Sequence, residues 1–282
     1  MTNPTYSASR PSLSEGARSR FLASEGRPLF LCEWPRVLFV NYEIEPALLQ
    51  PQVPFELELF HGKAIVSIAA FTMRRFRPNR GGRLGEWIFS PAGRNSFLNV
   101  RAYVRHLDEP GVYFMTQWLS HPCCLLGRLP MLRLPWHLGR MRYNFRHESG
   151  QLSGHVGGAG GRKLAITAAL PTGSQFGPPE PGSVAEFAME RYTAFALRGG
   201  KEVIFRVWHE AWPQCAVDAE VQDAGLLAQS GNWYRQARYV GANYTIGCDE
   251  VWMGRVRQID SFRRNPEPSG MLRCDIRPGS LL

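Results

Sequence analysis

Between residues 97 and 105 the side chains alternate without a break. Leu98, Val100, Ala102 and Val104 are apolar, while Asn99, Arg101, Tyr103 and Arg105 are polar. Successive side chains of a strand point to opposite faces, so this run is a strand with one face packed on a core. Its polar face points to solvent or lines a cavity. A turn at residues 108–111 and an apolar run at 112–119 complete a hairpin. The same strand signature recurs at 36–44, at 55–60 and 63–76 across the His61-Gly62 turn, and then at 139–148, 152–156, 163–170, 192–197, 201–212 and 215–221. Short helices are expected at 46–50, 122–131, 183–190 and 223–229. The class is mostly β, a β-rich α+β fold, and the many antiparallel strands at this spacing read as a barrel or a sandwich.

Residues 1–29 are rich in Ser, Pro and Arg and read as a flexible arm, and 261–282 as a similar tail. The stretch 30–260 has no linker and no repeat, so one domain is the simplest account. The 282 residues can bury most of their apolar surface without staples. The six cysteines form no C-x-x-C pair, and His121-Pro122-Cys123-Cys124 lacks a second pair of ligands, so no metal and no disulfide framework is expected. The first thirty residues lack the apolar stretch of a signal peptide, and no window approaches a spanning helix, which places the protein in the cytoplasm and away from membranes.

Of 33 basic residues only Lys63, Lys163 and Lys201 are lysines, and the net charge is +9. An arginine excess suits phosphate or carboxylate binding, and it equally follows from codon bias in a GC-rich genome. The densest cluster, residues 74–83, carries proline and glycine breakers and reads as a loop. Without the interleaved aromatic and basic pattern of an RNA-binding module, nucleic acid is the weakest of the partners considered. Residues 157–161 are glycine-rich but lie between two strands, which makes them a turn and not a dinucleotide loop, and no cofactor is expected.

Several segments resemble the YqjF-like family of uncharacterised bacterial proteins. They are Phe39-Val40-Asn41-Tyr42-Glu43-Ile44, His61-Gly62-Lys63-Ala64, Asn99-Val100-Arg101-Ala102-Tyr103-Val104, Leu134-Pro135-Trp136, Glu190-Arg191-Tyr192 and Val207-Trp208-His209-Glu210-Ala211-Trp212-Pro213. That family is similar to acetoacetate decarboxylase, and the resemblance implies a conical antiparallel β-barrel around a small cavity. The decarboxylase forms a Schiff base on a lysine whose pKa is lowered by a cationic neighbour. The matching stretch here is Arg133-Leu134-Pro135-Trp136-His137, with Trp136 and His137 at the lysine positions. The resemblance therefore implies the barrel without the Schiff-base chemistry.

Two main readings follow. In the first, the barrel holds a small organic acid, with Asn99, Arg101, Tyr103, Trp136, Glu190 and Arg191 as ligand-binding candidates. His209 is then the acid/base candidate, because its ordinary pKa lies near neutrality, and any activity would be lyase-like. In the second, the barrel binds or scaffolds without catalysis. The expected partner is a small anionic molecule, and self-association into a homo-oligomer stays open.

Overall fold

The computed structural model describes residues 12–80, 82, 85, 87, 93–122 and 135–259. Most of these lie in fourteen strands: β1 (Phe30–Ile44), β2 (Leu59–Phe60), β3 (Lys63–Pro78), β4 (Arg94–His106), β5 (Glu109–Leu119), β6 (Trp136–Leu138), β7 (Arg140–Asn144), β8 (Gln151–Gly157), β9 (Lys163–Ala169), β10 (Thr193–Arg198), β11 (Lys201–Trp208), β12 (Gln214–Asp223), β13 (Arg238–Met253) and β14 (Arg257–Gln258). Among the helices that accompany them are α1 (Leu13–Glu25), α2 (Pro46–Leu49) and α3 (Val184–Met189). Proline opens α2, where its missing N–H costs nothing. The side chain of Ser183 caps α3 by accepting from the Glu186 N–H.

Hydrogen-bonded neighbours run β11, β10, β5, β4, β3, β1, β13, and β13 pairs back to β11 through Val207 with Met253 and Trp208 with Trp252. Seven strands thus form a closed ring. From β13 the ladder continues through β12, β9, β8 and β7 as a second leaf. The outward faces of the ring strands and this leaf enclose the main core. Leu38, Val40, Ile68, Ala70, Leu98 and Val100 meet Leu152, Val156, Leu164, Ile166 and Val217 there. The 97–105 alternation has its cause in this arrangement: the even positions enter the core and the odd positions turn inside the ring.

Four features depart from the sequence expectations. The sheet is not purely antiparallel, because β10 within the ring and β6 beside it lie parallel to β5. Gly111 permits the first of these contacts, since a Cβ there would sit 2.6 Å from the Phe195 ring. The β4–β5 turn falls on Leu107 and Asp108, both in the left-handed region (φ 53 and 58), rather than on 108–111. That mirror-image turn matches the twist of its strands. The strand expected over 201–212 stops at Trp208. Conversely, β3 runs on to Pro78, so the first half of the arginine cluster at 74–83 is strand and not loop.

The larger departures are α1 and β13. Residues 13–25 form a helix with a reciprocal capping box between Ser12 and Glu15, where an arm is expected. Only Ala17 and Phe21 supply its apolar stripe, which packs on Tyr192, Trp208 and Trp252, and so little apolar content hides the helix in a Ser/Arg-rich stretch. The 16-residue β13 escapes the sequence reading because Gly241 and Gly247 interrupt its pattern. Both have positive φ, 134 and 108, and they sit where β1 changes register at Asn41/Tyr42 and Cys32/Trp34. A Cβ on Gly247 would lie 2.2 Å from the Trp34 carbonyl oxygen. Glycine in a strand usually weakens it, but here only glycine lets β13 pass the bulge of β1. The start of the expected arm (residues 1–11), the expected helix at 122–131 apart from Pro122, and the 261–282 tail lie outside the described residues.

Gly247→Ala therefore costs about 3 kcal/mol, from backbone strain plus the clash. Gly150→Ala, with positive φ but open space around it, costs only about 1 kcal/mol. Urea denaturation of both variants checks the ordering, and equal losses would refute the close-approach argument.

Candidate functional site

The inward positions of the ring are unequal in size. Ala69, Ala194 and Ala196 are small, and the space they leave is part of a cavity of about 350 Å³. Its wall is largely aromatic and apolar. Phe71 and Phe97 stack at 5.1 Å between centroids, and Trp34 and Trp212 at 6.1 Å. Phe39, Met73, Phe114, Leu119 and Phe205 add to the wall. The polar side chains that reach it are few: Asn99, Arg101, Gln117, Arg191, Tyr192, Thr193 and His209.

Arg101 comes from the odd face of β4, paired with Ser67 of β3 and Phe114 of β5. Its Nη2 donates to the Ala188 carbonyl at the end of α3 (2.5 Å) and its Nε to the Tyr103 hydroxyl (3.1 Å). The guanidinium also lies 4.7 Å from the Phe39 ring centre, a favourable placement for a cation. Tyr103 is fully buried beneath it. The Tyr103 hydroxyl is 2.6 Å from Ser67 Oγ, which donates in turn to Asn41 Oδ1. Of the sequence candidates, then, Arg101 and Asn99 line the cavity, whereas Tyr103 positions Arg101 from below. This corrects the grouping of all three as ligand contacts.

No carboxylate pairs with Arg101 among the described residues. Glu43 faces away to Arg238 at 2.8 Å. Glu58 is shared by Arg105 (2.7 Å) and Arg191 (2.5 Å), so the Arg191 charge is already met although its side chain touches the cavity. Glu190 does not line the cavity. Its carboxyl accepts from the Tyr192 hydroxyl and from the Trp212 N–H, tying α3 to the segment after β11. Burial raises the Glu190 pKa, partly opposed by those two bonds. Glu190 is thus a structural clamp rather than a ligand contact. Trp136 does line the cavity, and its Nε1 donates to Gln117 Oε1 (2.5 Å). His137, next to it on β6, is exposed.

His209 is buried against Trp34, Tyr192 and Trp212. Its Nδ1 lies 2.7 Å from the Glu210 carbonyl, which makes Nδ1 the protonated nitrogen and Nε2 the free acceptor. Burial lowers its pKa to about 4; the Glu210 carbonyl resists that shift and the Arg101 charge adds to it. At neutral pH His209 is uncharged, with its one ring proton engaged by the Glu210 carbonyl and Nε2 left as a hydrogen-bond acceptor. The aromatic wall contributed by β1 and β3 was not among the sequence candidates. The odd phase of 37, 39, 69, 71 and 73 carries it, but apolar residues on both faces conceal which side is hollow.

An unfolded histidine titrates near 6.5 and the folded one near 4. Between those values the unfolded chain holds a proton that the folded chain lacks, so stability falls as pH drops from 6.5 toward 4. The loss approaches about 3 kcal/mol, and there is no His209 contribution above pH 7. Glu190, shifted upward, works in the opposite sense, so the comparison with His209→Gln isolates the histidine. Urea melts of both proteins from pH 4.5 to 8 should converge in slope above 7 and diverge below 6.5. Parallel curves throughout would show that His209 is not held neutral.

A family model described as "Uncharacterized conserved protein (COG2071)", DUF2071, matches residues 32–240. The uncharacterized protein YqjF of Bacillus subtilis (strain 168) is 25% identical over 194 residues, which span 67% of this chain and 76% of YqjF. Among solved structures, acetoacetate decarboxylase from Legionella pneumophila superposes with TM-score 0.56 at 14% identity, covering 89% of this chain and 93% of that one. An acetoacetate decarboxylase-like enzyme from Sphingomonas wittichii RW1 gives TM-score 0.54 at 15% identity, with 81% and 91% covered. The enduracididine biosynthesis enzyme MppR, complexed with pyruvate, gives 0.56 at 12% identity, with 83% and 92% covered. At these identities the likeness is one of fold.

Proposed function

The chain belongs to the DUF2071 family, and we propose that within its acetoacetate decarboxylase-like fold the cavity binds a small organic acid on Arg101, without Schiff-base lysine chemistry. One observation carries the reading: a guanidinium lines an apolar cavity and has no carboxylate partner among the described residues. Arginine does not deprotonate to escape such a position. Its remaining N–H groups and its charge are met most fully by an anion, and a carboxylate fits the planar fork.

The lysines support the second half of the proposal. Lys63 pairs with Glu45 on the outside, and Lys163 and Lys201 are exposed. None of the three lines the cavity. An imine needs an amine beside the ketone, and the cavity offers indole and imidazole instead. Binding without turnover is the simpler role, because the one ring proton of neutral His209 is already engaged by the Glu210 carbonyl rather than offered to a bound acid.

A thermal-shift panel of small organic acids tests the site. Acids should raise the melting temperature of wild type and leave Arg101→Met unmoved, with both proteins folded by circular dichroism. Equal stabilisation of the two would end the assignment to Arg101. Sodium borohydride with a β-keto acid should leave the intact mass unchanged, whereas a reduced adduct on any lysine would overturn the exclusion of Schiff-base chemistry.

A further inference from the structure

The cavity is graded along the ring, and the cross-strand register sets the order of its rows. Ser67 stands beside Arg101, Ala69 beside Asn99, Phe71 beside Phe97, and across β5 these last two rows continue with Gln117 and Leu119. Rows two residues apart are roughly 6.6 Å apart along a strand. A charged floor at Arg101 therefore gives way to an amide row and then, roughly 13 Å from the floor, to the stacked Phe71–Phe97 pair. An acid as small as acetate would meet the floor and leave the aromatic rows in water.

The amide row and the imidazole beside it hold acceptors that lack donors. Asn99 is 94% buried, from its 6% exposure, and its Oδ1 is a buried atom with no hydrogen-bond partner among the described residues. With Nδ1 committed to the Glu210 carbonyl, His209 Nε2 is left as an acceptor on the wall of the same cavity. Arg101 and His209 line the same cavity, which places the cation and the imidazole around one space. An unmet buried acceptor is costly, and the ligand is the natural source of the missing donor.

We infer that the ligand is a carboxylic acid with an aromatic or similarly bulky apolar body and a hydroxyl or N–H beside its carboxylate. Its carboxylate meets Arg101, its donor meets Asn99 or His209, and its apolar body extends over the amide row toward the Phe71–Phe97 pair. The inference rests on the acid-binding reading above and narrows it to a class. Simple keto acids of two to four carbons fall outside that class.

Three tryptophans, Trp34, Trp136 and Trp212, line the cavity, so their fluorescence reports occupancy, with calorimetry as the second measurement. The probes are acetate, phenylacetate, mandelate and phenylacetamide. Phenylacetate should bind at least about 100-fold tighter than acetate, since burying a ring contributes a few kcal/mol. Mandelate, which adds one hydroxyl, should gain roughly tenfold more, in line with a single hydrogen bond. Phenylacetamide should bind far more weakly than phenylacetate. Asn99→Leu should erase the mandelate gain while keeping the preference for acid over amide, and Arg101→Met should erase that preference. The wild-type ratios decide the matter even if a variant fails to fold. Acetate binding as tightly as phenylacetate, or mandelate gaining nothing, overturns this inference while the acid site stands. No acid binding at all removes the site and the inference together.

Discussion

Everything inside the ring depends on β13 making partners on both sides. It pairs with β1 along most of its length, with β11 through Val207–Met253 and Trp208–Trp252, and with β12 on the way to the second leaf. Without that double use, β1 and β11 would be edges, and the cavity between them would be an open groove. A closed ring has no free edges to satisfy, so the inward face need not be filled for the backbone's sake. The tight passage at Gly247 against the Trp34 carbonyl is the local condition for this closure. The β1 bulge it accommodates is also the segment from which Trp34 reaches the cavity wall.

Closure divides labour between the two faces of the same strands. On β1, β3 and β4 one set of side chains forms the solid core with the second leaf, at 0–6% exposure for Leu38, Val40, Tyr42, Leu98 and Val100. The other set surrounds the hollow. The stability of the ring comes from the packed side, and this frees the hollow side to carry alanines and a few polar groups whose packing is incomplete. The Asn41–Ser67–Tyr103 chain beneath Arg101 is the exception, a satisfied network that fixes the cation's position.

The helices also act on the site, and Met189 of α3 lines the cavity itself. The Ala188 carbonyl at the end of α3 accepts from Arg101, and the next residues carry Glu190 to Tyr192 and Trp212. From α1, Ser14 donates to the His209 carbonyl and accepts from the Trp208 indole. The imidazole is thereby held between two clamped segments. Burial lowers the His209 pKa and raises that of Glu190, and the hydrogen bonds of both side chains fix the segments around the cavity.

The sequence by itself determined the β class, most strands and the two faces of β4, because alternation and turn chemistry are local properties that survive in the chain. It also placed Arg101 and Asn99 on the face opposite Leu98 and Val100, and it put Trp136 and His137 where the resemblance would place lysines. Whether that polar face met water or a hollow was decided only when β13 returned to β11, a contact between residues far apart in the chain. The same holds for Tyr103 as a support, Glu190 as a clamp and His209 as a neutral acceptor. Each role depends on partners such as Ala188, Trp212 and Glu210 that the fold brings together, and on desolvation, which no spacing encodes. The capping box of α1 was written in Ser12 and Glu15, yet its value depended on Trp208 and Trp252 standing ready to bury Phe21.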